Sequence, residues 1–408
     1  MAKTLDVYLG PALTGHFVQT IHGTVEFQYT AEWLANPRAV ALSLSLPLRE
    51  EPFSAAECKG FFGGVLPEQS QRDGVAYVLG ISKRNDFAML EKIGGECAGA
   101  VSFMPHGEPL PSPVNEYRKL TSEDLAKILR ELPRRPLLAG EDGVRLSLAG
   151  AQSKIAVAMD DEGFSVPLGG SPSTHILKPE VPGFPGIVAN EAFCMRLARG
   201  IGLNVAKAEA RRIEDIDYLL VERYDRVRSP ADGSIQRIHQ EDFCQALGVP
   251  SDNKYQNDGG PSLAQCFGLL QAPSSIPALD LRGLLDAVLF NFFVGNNDAH
   301  GKNFSLLYTL GTSGRRQVRL APLYDLVSTL SYPELSRKMA MKIGGEYVSN
   351  KIFPRHFEKL AEEVGLSKVL VRRRALELAQ QILKQVPLVG GGPSEVVRVI
   401  VDRCGQMI

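Results

Sequence analysis

The spacing of apolar and polar positions changes character twice along the 408-residue chain. Up to about residue 105, "LDVYLG", "GHFVQTI", "TVEFQYT" and "AVALSLSLPL" are short alternating or β-branched runs broken by Gly, Asn and Pro. A period of two buries one face of an extended chain, so these runs predict strands. "SAAECKGFFGGVLPE" and "GVAYVLGISKRNDFAMLEKIGGECAGAV" predict helices joined by Gly-rich turns. The polar, Pro-containing "MPHGEPLPSPVNEYRKL" predicts a domain boundary. "TSEDLAKILREL" then predicts a helix, capped by Thr or Ser, acidic at its start and basic near its end.

From about 140 to 250, "SKIAVAMD", "FSVP", "THILKPE" and "ARRIEDIDYLLVERYDR" predict strands around one amphipathic helix, "VANEAFCMRLARGIGL". From about 240 the period becomes helical in "QEDFCQALG", "SLAQCFGLLQ", "PALDLRGLLDAVLFNFFVG", "RHFEKLAEEVGL" and "SKVLVRRRALELAQQILKQV". "QVRLAPLYDLVST" predicts an apolar strand ending in Asp325. The layout is α+β: a β-rich N-terminal module (1–110), a mixed α/β region (111–245) and a helical region (246–408).

Composition narrows the classes. With 44% hydrophobic and 22% charged residues the chain is ordinary globular material, and a formal net charge of -1 gives no global nucleic-acid signal. Cys58, Cys97, Cys194, Cys244, Cys266 and Cys404 are scattered, with no CxxC, and the seven histidines form no HxxxH. Neither a structural zinc site, for want of a CxxC pair, nor a disulfide framework is expected. The N-terminus lacks a signal-type apolar segment and no apolar run reaches about 18 residues. A soluble cytoplasmic protein without membrane contact is the expectation.

Candidate chemistry concentrates in "VGNNDAHGKNFSLL". Asp298 and Asn303 make a D-x-x-x-x-N pattern, in which Asp faces an acceptor hydroxyl and Asn a magnesium ion in protein kinases. Asp325 is a second oxygen ligand of the kind a hard cation takes. Lys178, in "THILKPE", is placed to meet nucleotide phosphates, and Glu191 in the next helix is a candidate partner for it. Backbone amides of "SLAGAQSK", from Ser147 through Ala149, Gly150, Ala151, Gln152 and Ser153 to Lys154, can cradle phosphate. Each element has a plain alternative: a cap or turn for Asp298, a snorkelling lysine for Lys178, a dipole-driven acid for Glu191. Their order along the chain is that of a kinase.

"LSLAGAQSKIAV", "THILKPE", "NEAFCMRLARGIGLNV", "VERYDR", "HQEDFCQALG", "NNDAHGKNFSLL" and "LAPLYDLVST" resemble the successive motifs of HipA-type serine/threonine kinases. "LSLSLPL" and "FFGGVLPE" resemble that family's N-terminal module. The resemblance implies a kinase-like fold, with a mixed α/β N-lobe and an all-helical C-lobe, that uses ATP and Mg2+. It implies the toxin of a type II toxin–antitoxin pair, phosphorylating a serine of a protein such as glutamyl-tRNA synthetase. The implied partner is a small helix-turn-helix antitoxin, HipB-like, through which the complex meets operator DNA.

By the same resemblance, Asp298, His300 and Lys178 are catalytic and Asn303 and Asp325 hold the metal. Residues 149–154, Lys178, Glu222, Tyr224, His300, Lys302, Asn303 and Asp325 surround the nucleotide, with Glu222 and Tyr224 as the adenine hinge. Ser147 is the implied autophosphorylation site, and Arg145 either receives its phosphate or is solvated. His300 as a phosphate donor and as a loop histidine both stay open, as does Lys302 as a turn charge. Arg372, Arg373 and Arg374 form either a DNA contact or a charged helix face. Trp33 is expected in the module core. The competing functions are a small-molecule or lipid kinase on a related scaffold, a nucleotide-binding pseudokinase scaffold, and, more remotely, a metallohydrolase using Asp298, His300 and Asp325.

Overall fold

In the N-terminal sequence, Leu5 and Val7 alternate with Asp6 and Tyr8, and the apolar pair is sealed while the polar pair takes the other face. The computed structural model describes residues 2–108, 116–310 and 316–408, so the Pro-containing stretch 109–115 of the expected boundary lies outside the described residues. β1 (Lys3–Leu9), β2 (Ala12–Gln19), β3 (Val25–Tyr29) and β4 (Val101–Pro105) form an antiparallel sheet in the order β3-β2-β1-β4. Four helices, Ala31–Ala35, Ala55–Gly64, Gln69–Leu79 and Asp86–Ile93, accompany it. Phe17 of β2 stacks on Phe62 at 4.1 Å between ring centroids, and Trp33 is buried in the same core.

"AVALSLSLPL" departs from the expected strand: only an isolated bridge, Ser43 to Leu46, occurs there. Side chains occupy its backbone instead. The Tyr29 hydroxyl donates to the Leu46 carbonyl (2.5 Å) and accepts from the Leu42 amide (2.7 Å). The Leu44 amide donates to Glu241 (3.0 Å), whose carboxylate also takes the Ser43 hydroxyl. A segment whose amides and carbonyls are taken up in this way has nothing left for a ladder.

The second sheet contains β5 (Glu116–Lys119), β6 (Ile155–Asp160), β7 (Gly163–Leu168), β8 (His175–Pro179), β9 (Ala208–Ile213) and β10 (Ile216–Glu222), in the order β5-β7-β6-β8-β10-β9. Its inward residues, among them Ile155, Val157 and Leu177, belong to the same hydrophobic cluster as Leu5 and Phe17. Residues Met1–Pro179 and Arg211–Ser251 are one compact unit; Glu180–Ala210 and Asp252–Ile408 are the other.

The second unit is built on helices Ile187–Gly200, Leu263–Gln271, Pro277–Val294, Pro354–Glu363, Lys368–Val389 and Ser394–Gly405. From Leu284 onward Pro277–Val294 is buried on every side, which matches a sequence that is apolar except at Asp286 and Asn291. The unit is not purely helical, contrary to the all-helical expectation. Strands Ser305–Leu310 and Arg316–Leu320 pair antiparallel, as do Lys338–Ile343 and Glu346–Val348. Arg374 forms a two-pronged bond to Asp286 (2.6 and 3.0 Å), so it is tied into the fold, while Arg372 and Arg373 are exposed beside Glu358 and Glu377. No helix of the described residues is long and apolar enough to cross a membrane.

The strongest electrostatic feature of the first unit is buried. Glu96 is fully enclosed and meets Arg226 (2.8 Å), Arg223 (3.2 Å) and Arg237 (2.6 Å), and accepts from the Ser173 amide and hydroxyl (both 2.9 Å). Burial pushes its carboxyl up, but Arg226, Arg237 and Arg223 outweigh this and hold it below the ordinary glutamate value. Asp225 closes the cluster, bonded to Arg223 (2.9 and 2.8 Å) and to the Gly99 amide (2.7 Å). Glu96→Ala is expected to destabilise this unit by about 3–5 kcal/mol, because the arginines remain buried without it. The sole tryptophan, Trp33, reports on the same unit, so urea denaturation followed by its fluorescence measures the loss. Since the folded pKa is depressed, the Glu96 contribution is full above the ordinary glutamate value and fades as pH falls toward the depressed one. The wild-type-minus-variant stability difference should shrink in that acid range.

Candidate active site

In the first unit the small-residue loop 147–154 leads directly into β6. Gly150 has φ +108, and a Cβ there would lie 2.5 Å from Lys154 Nζ, so the turn favours glycine. Lys154, largely buried, curls back to donate to the Ala149 carbonyl (2.6 Å). The loop rests on residues 65–71 of the N-terminal module. The Glu68 amide donates to the Gly150 carbonyl (3.2 Å), and Gln71 donates to the Ser153 hydroxyl (3.0 Å). Ser147 is fully buried, its hydroxyl donating to the Val65 carbonyl (3.0 Å) and its amide to the Glu96 carbonyl (2.9 Å).

Lys178 is buried on β8. Because β6 and β8 pair with Ile155 opposite Leu177, extending that register by one residue sets Lys154 across from Lys178. Lys154, at the end of the loop, and Lys178 thus stand on neighbouring strands, a cationic pairing suited to phosphate. Arg145 is neither solvated nor facing Ser147 with a free guanidinium: it donates to the carbonyls of Glu91 (3.0 Å) and Phe103 (2.8 Å). Glu222 ends β10 and is exposed, and the Tyr224 hydroxyl bonds Gln240. Buried ion pairs of this segment include those of Arg223, Asp225 and Arg226, which went unnoticed in the sequence.

In the second unit, helix Pro277–Val294 ends at Gly295 in the left-handed conformation (φ +73). The polar loop follows at once. Asp298 is exposed and accepts from the Tyr255 hydroxyl (2.8 Å), and its amide donates to the Asn296 side chain (3.1 Å). His300, Lys302 and Asn303 are buried in the loop, and the His300 ring stands edge-on to Tyr255 at 5.3 Å. The Tyr324 hydroxyl donates to the Lys302 carbonyl (2.7 Å).

Asp325 does not end a strand as expected: the strand stops at Leu320, and Asp325 sits five residues on with φ +54. A non-glycine residue in that region is strained by about 1–3 kcal/mol and needs its surroundings to hold it. Asparagines do so. Asn296 donates to the Asp325 carbonyl (3.2 Å), and Asn190 of helix Ile187–Gly200 donates to the Ser328 carbonyl (3.0 Å) and accepts from its amide (2.9 Å). Asn297 accepts, through its carbonyl, from the Ala340 amide (2.7 Å), and its own amide donates to the Thr329 hydroxyl (2.8 Å). Asn190 and Tyr255 went unnoticed in the sequence; the nearest signal was Asn190 standing beside Glu191, which is buried in the first turns of the same helix. An amide oxygen from Asn303 and a carboxylate from Asp325 are a donor set that fits magnesium, which takes few protein oxygens.

A small-residue loop before a lysine-bearing sheet, with a D-x-x-x-x-N loop in a helical unit, defines an α+β kinase-like fold. The chain belongs to the HipA family. The HipA N-terminal domain model matches residues 5–104 and the HipA-like C-terminal domain model residues 146–388. The chain is 48% identical to "Putative kinase Y4mE" of Sinorhizobium fredii over 388 residues, 94% of this chain and 91% of that protein. It is 31% identical to the serine/threonine-protein kinase toxin HipA of Shewanella oneidensis over 391 residues, 93% and 87% of the two chains. The Shewanella HipA solved with HipB and its operator DNA superposes with a TM-score of 0.83 at 29% identity, covering 99% of this chain and 96% of that one.

Asn190→Ala is expected to leave the buried Ser328 amide without its acceptor, a loss of about 1–3 kcal/mol, while the Ser328 carbonyl keeps the Ser331 hydroxyl (2.6 Å). Hydrogen exchange should then quicken at residues 325–330 while the helix Pro277–Val294 stays protected.

Proposed function

We propose that this chain is an ATP- and magnesium-dependent protein serine/threonine kinase, the toxin of a type II toxin–antitoxin pair. One observation carries the reading. Loop 296–303 and the Asp325 segment are clamped together by the Asn296 side chain and the Asn297 backbone amide, so exposed Asp298 shares one frame with two oxygen donors. Lys178 and Lys154 bind phosphate oxygens of ATP, with the amides of residues 149–153 beside them. Glu222 and Tyr224 meet the adenine through their backbone. Asp298 takes the proton of the acceptor hydroxyl as its oxygen attacks the γ-phosphorus and ADP departs. Asn303 and Asp325 hold the magnesium, which when bound neutralises charge on the β- and γ-phosphate oxygens. His300 and Lys302, both buried, keep the loop in shape or donate toward phosphate.

The acceptor proposed is a serine of a translation protein such as glutamyl-tRNA synthetase. The partner proposed is a small helix-turn-helix antitoxin that carries the complex to operator DNA. Similarity to the Shewanella HipA solved with HipB and operator DNA supports the partner. Asp298→Asn and Asp325→Ala should each lower γ-phosphate transfer by about 10²–10⁴-fold in a radiolabel assay with magnesium. Ordinary turnover in both variants would exclude the mechanism.

Ser147 is the proposed site of self-modification. A phosphate carrying about two negative charges does not fit where the Ser147 hydroxyl meets the Val65 carbonyl, so its addition requires loop 147–154 to leave. Ser147→Ala is expected to abolish self-labelling yet retain transfer to a protein acceptor. In the phosphorylated wild type, mass-spectrometric hydrogen exchange should rise across 147–154.

A further inference from the structure

A second constellation lies in the N-terminal sheet, among residues to which phosphotransfer assigns nothing. Asp6 of β1 and His16 of β2 are cross-strand partners, and Asp6 also faces Met104 of β4. Two residues beyond Met104, His106 continues that pairing through its amide bond to the Thr4 carbonyl (3.1 Å), so its side chain returns to the face of Asp6. Both imidazoles present Nδ1 to the same carboxylate oxygen, Asp6 Oδ1, each at 2.8 Å. One ligand atom from each of the three residues lies within 4.8 Å of the others. The rings stand edge to face with centroids 5.4 Å apart.

We infer that Asp6, His16 and His106 form a zinc-type site on this sheet. Two imidazole nitrogens and one carboxylate oxygen select a borderline transition metal over magnesium or calcium, which take oxygen. The carboxylate is already oriented: Asp6 is buried, and the Gly107 amide donates to its Oδ2 (3.2 Å), leaving Oδ1 toward the histidines. The 2.8 Å separations are hydrogen-bond spacings, and an ion at about 2.0–2.2 Å from each donor requires them to open slightly. The histidines can move to allow this, since their side chains are 33% and 63% exposed. The exposed side leaves a fourth position for water. A bound ion ties β1, β2 and the end of β4 together, which makes the role structural.

The test is calorimetric titration of ZnCl2 into the metal-stripped full chain, carried in the Asp325→Ala background so that heat from the magnesium ligands is excluded. One equivalent is expected, together with a zinc-dependent rise in the melting temperature of the Trp33 transition. Both should vanish in His16→Gln/His106→Gln, and exposed His106→Gln alone should weaken binding at least tenfold while leaving the metal-free melting temperature in place. Equal titration of the parent and the double variant, or no saturable binding by the parent, would overturn the site. Because Asp298 takes no part, failure here leaves the kinase reading untouched, and loss of phosphotransfer leaves the zinc reading untouched.

Discussion

A carboxylate with no surface open to water has to be balanced where it lies, and around Glu96 three arginines and Ser173 do this. Removing such ions from water costs several kcal/mol each, so the cluster holds only while every partner stays in register. Its partners come from separate parts of the first unit. Glu96 belongs to the N-terminal module, Arg223 and Arg226 follow β10, and the Glu96 backbone pairs with Arg145 and Ser147 at the start of the small-residue loop. The loop thus inherits its position from a charge balance. A resemblance between "VERYDR" and a hinge motif points at Glu222 and Tyr224; the arginines and aspartate of the same six residues are what anchor it.

The second unit meets a comparable constraint with neutral groups. An aspartate at φ +54 and a polar loop between buried elements leave backbone amides and carbonyls that water does not reach. The side chains of Asn190 and Asn296 satisfy several of them, each donating and accepting at once. Amides rather than carboxylates suit this duty, since they bring no extra charge beside Asp298 and Asp325. The one acid of the loop, Asp298, is exposed and accepts from the Tyr255 hydroxyl.

Much of this was legible in sequence where local pattern and local structure agree. The apolar run before Gly295 predicts a buried helix, "SKIAVAMD" and "THILKPE" predict the strands at the loop, and the spacing of Asp298 and Asn303 survives folding because one short loop carries both. The misreadings share a cause. "AVALSLSLPL" has the alternation of a strand, yet Tyr29 and Glu241 take its backbone groups from afar. "QVRLAPLYDLVST" reads as one strand, yet Asp325 bends back under bonds from an asparagine 29 residues away. Hairpin Lys338–Ile343 and Glu346–Val348 was hidden among helices, and its Gly344–Gly345 turn is its clearest local sign.

The sequence by itself determined the family motifs and their order, and so the candidate residues for chemistry, because motif identity and spacing are properties of a short piece of chain. The tertiary structure alone decided which of them are held, and by what: Glu96 among arginines, Ser147 sealed against Val65, and Asp6 between two histidines 10 and 100 positions away. Burial, charge balance and shared hydrogen bonds arise from groups distant in the chain, and no local pattern records which distant group will arrive.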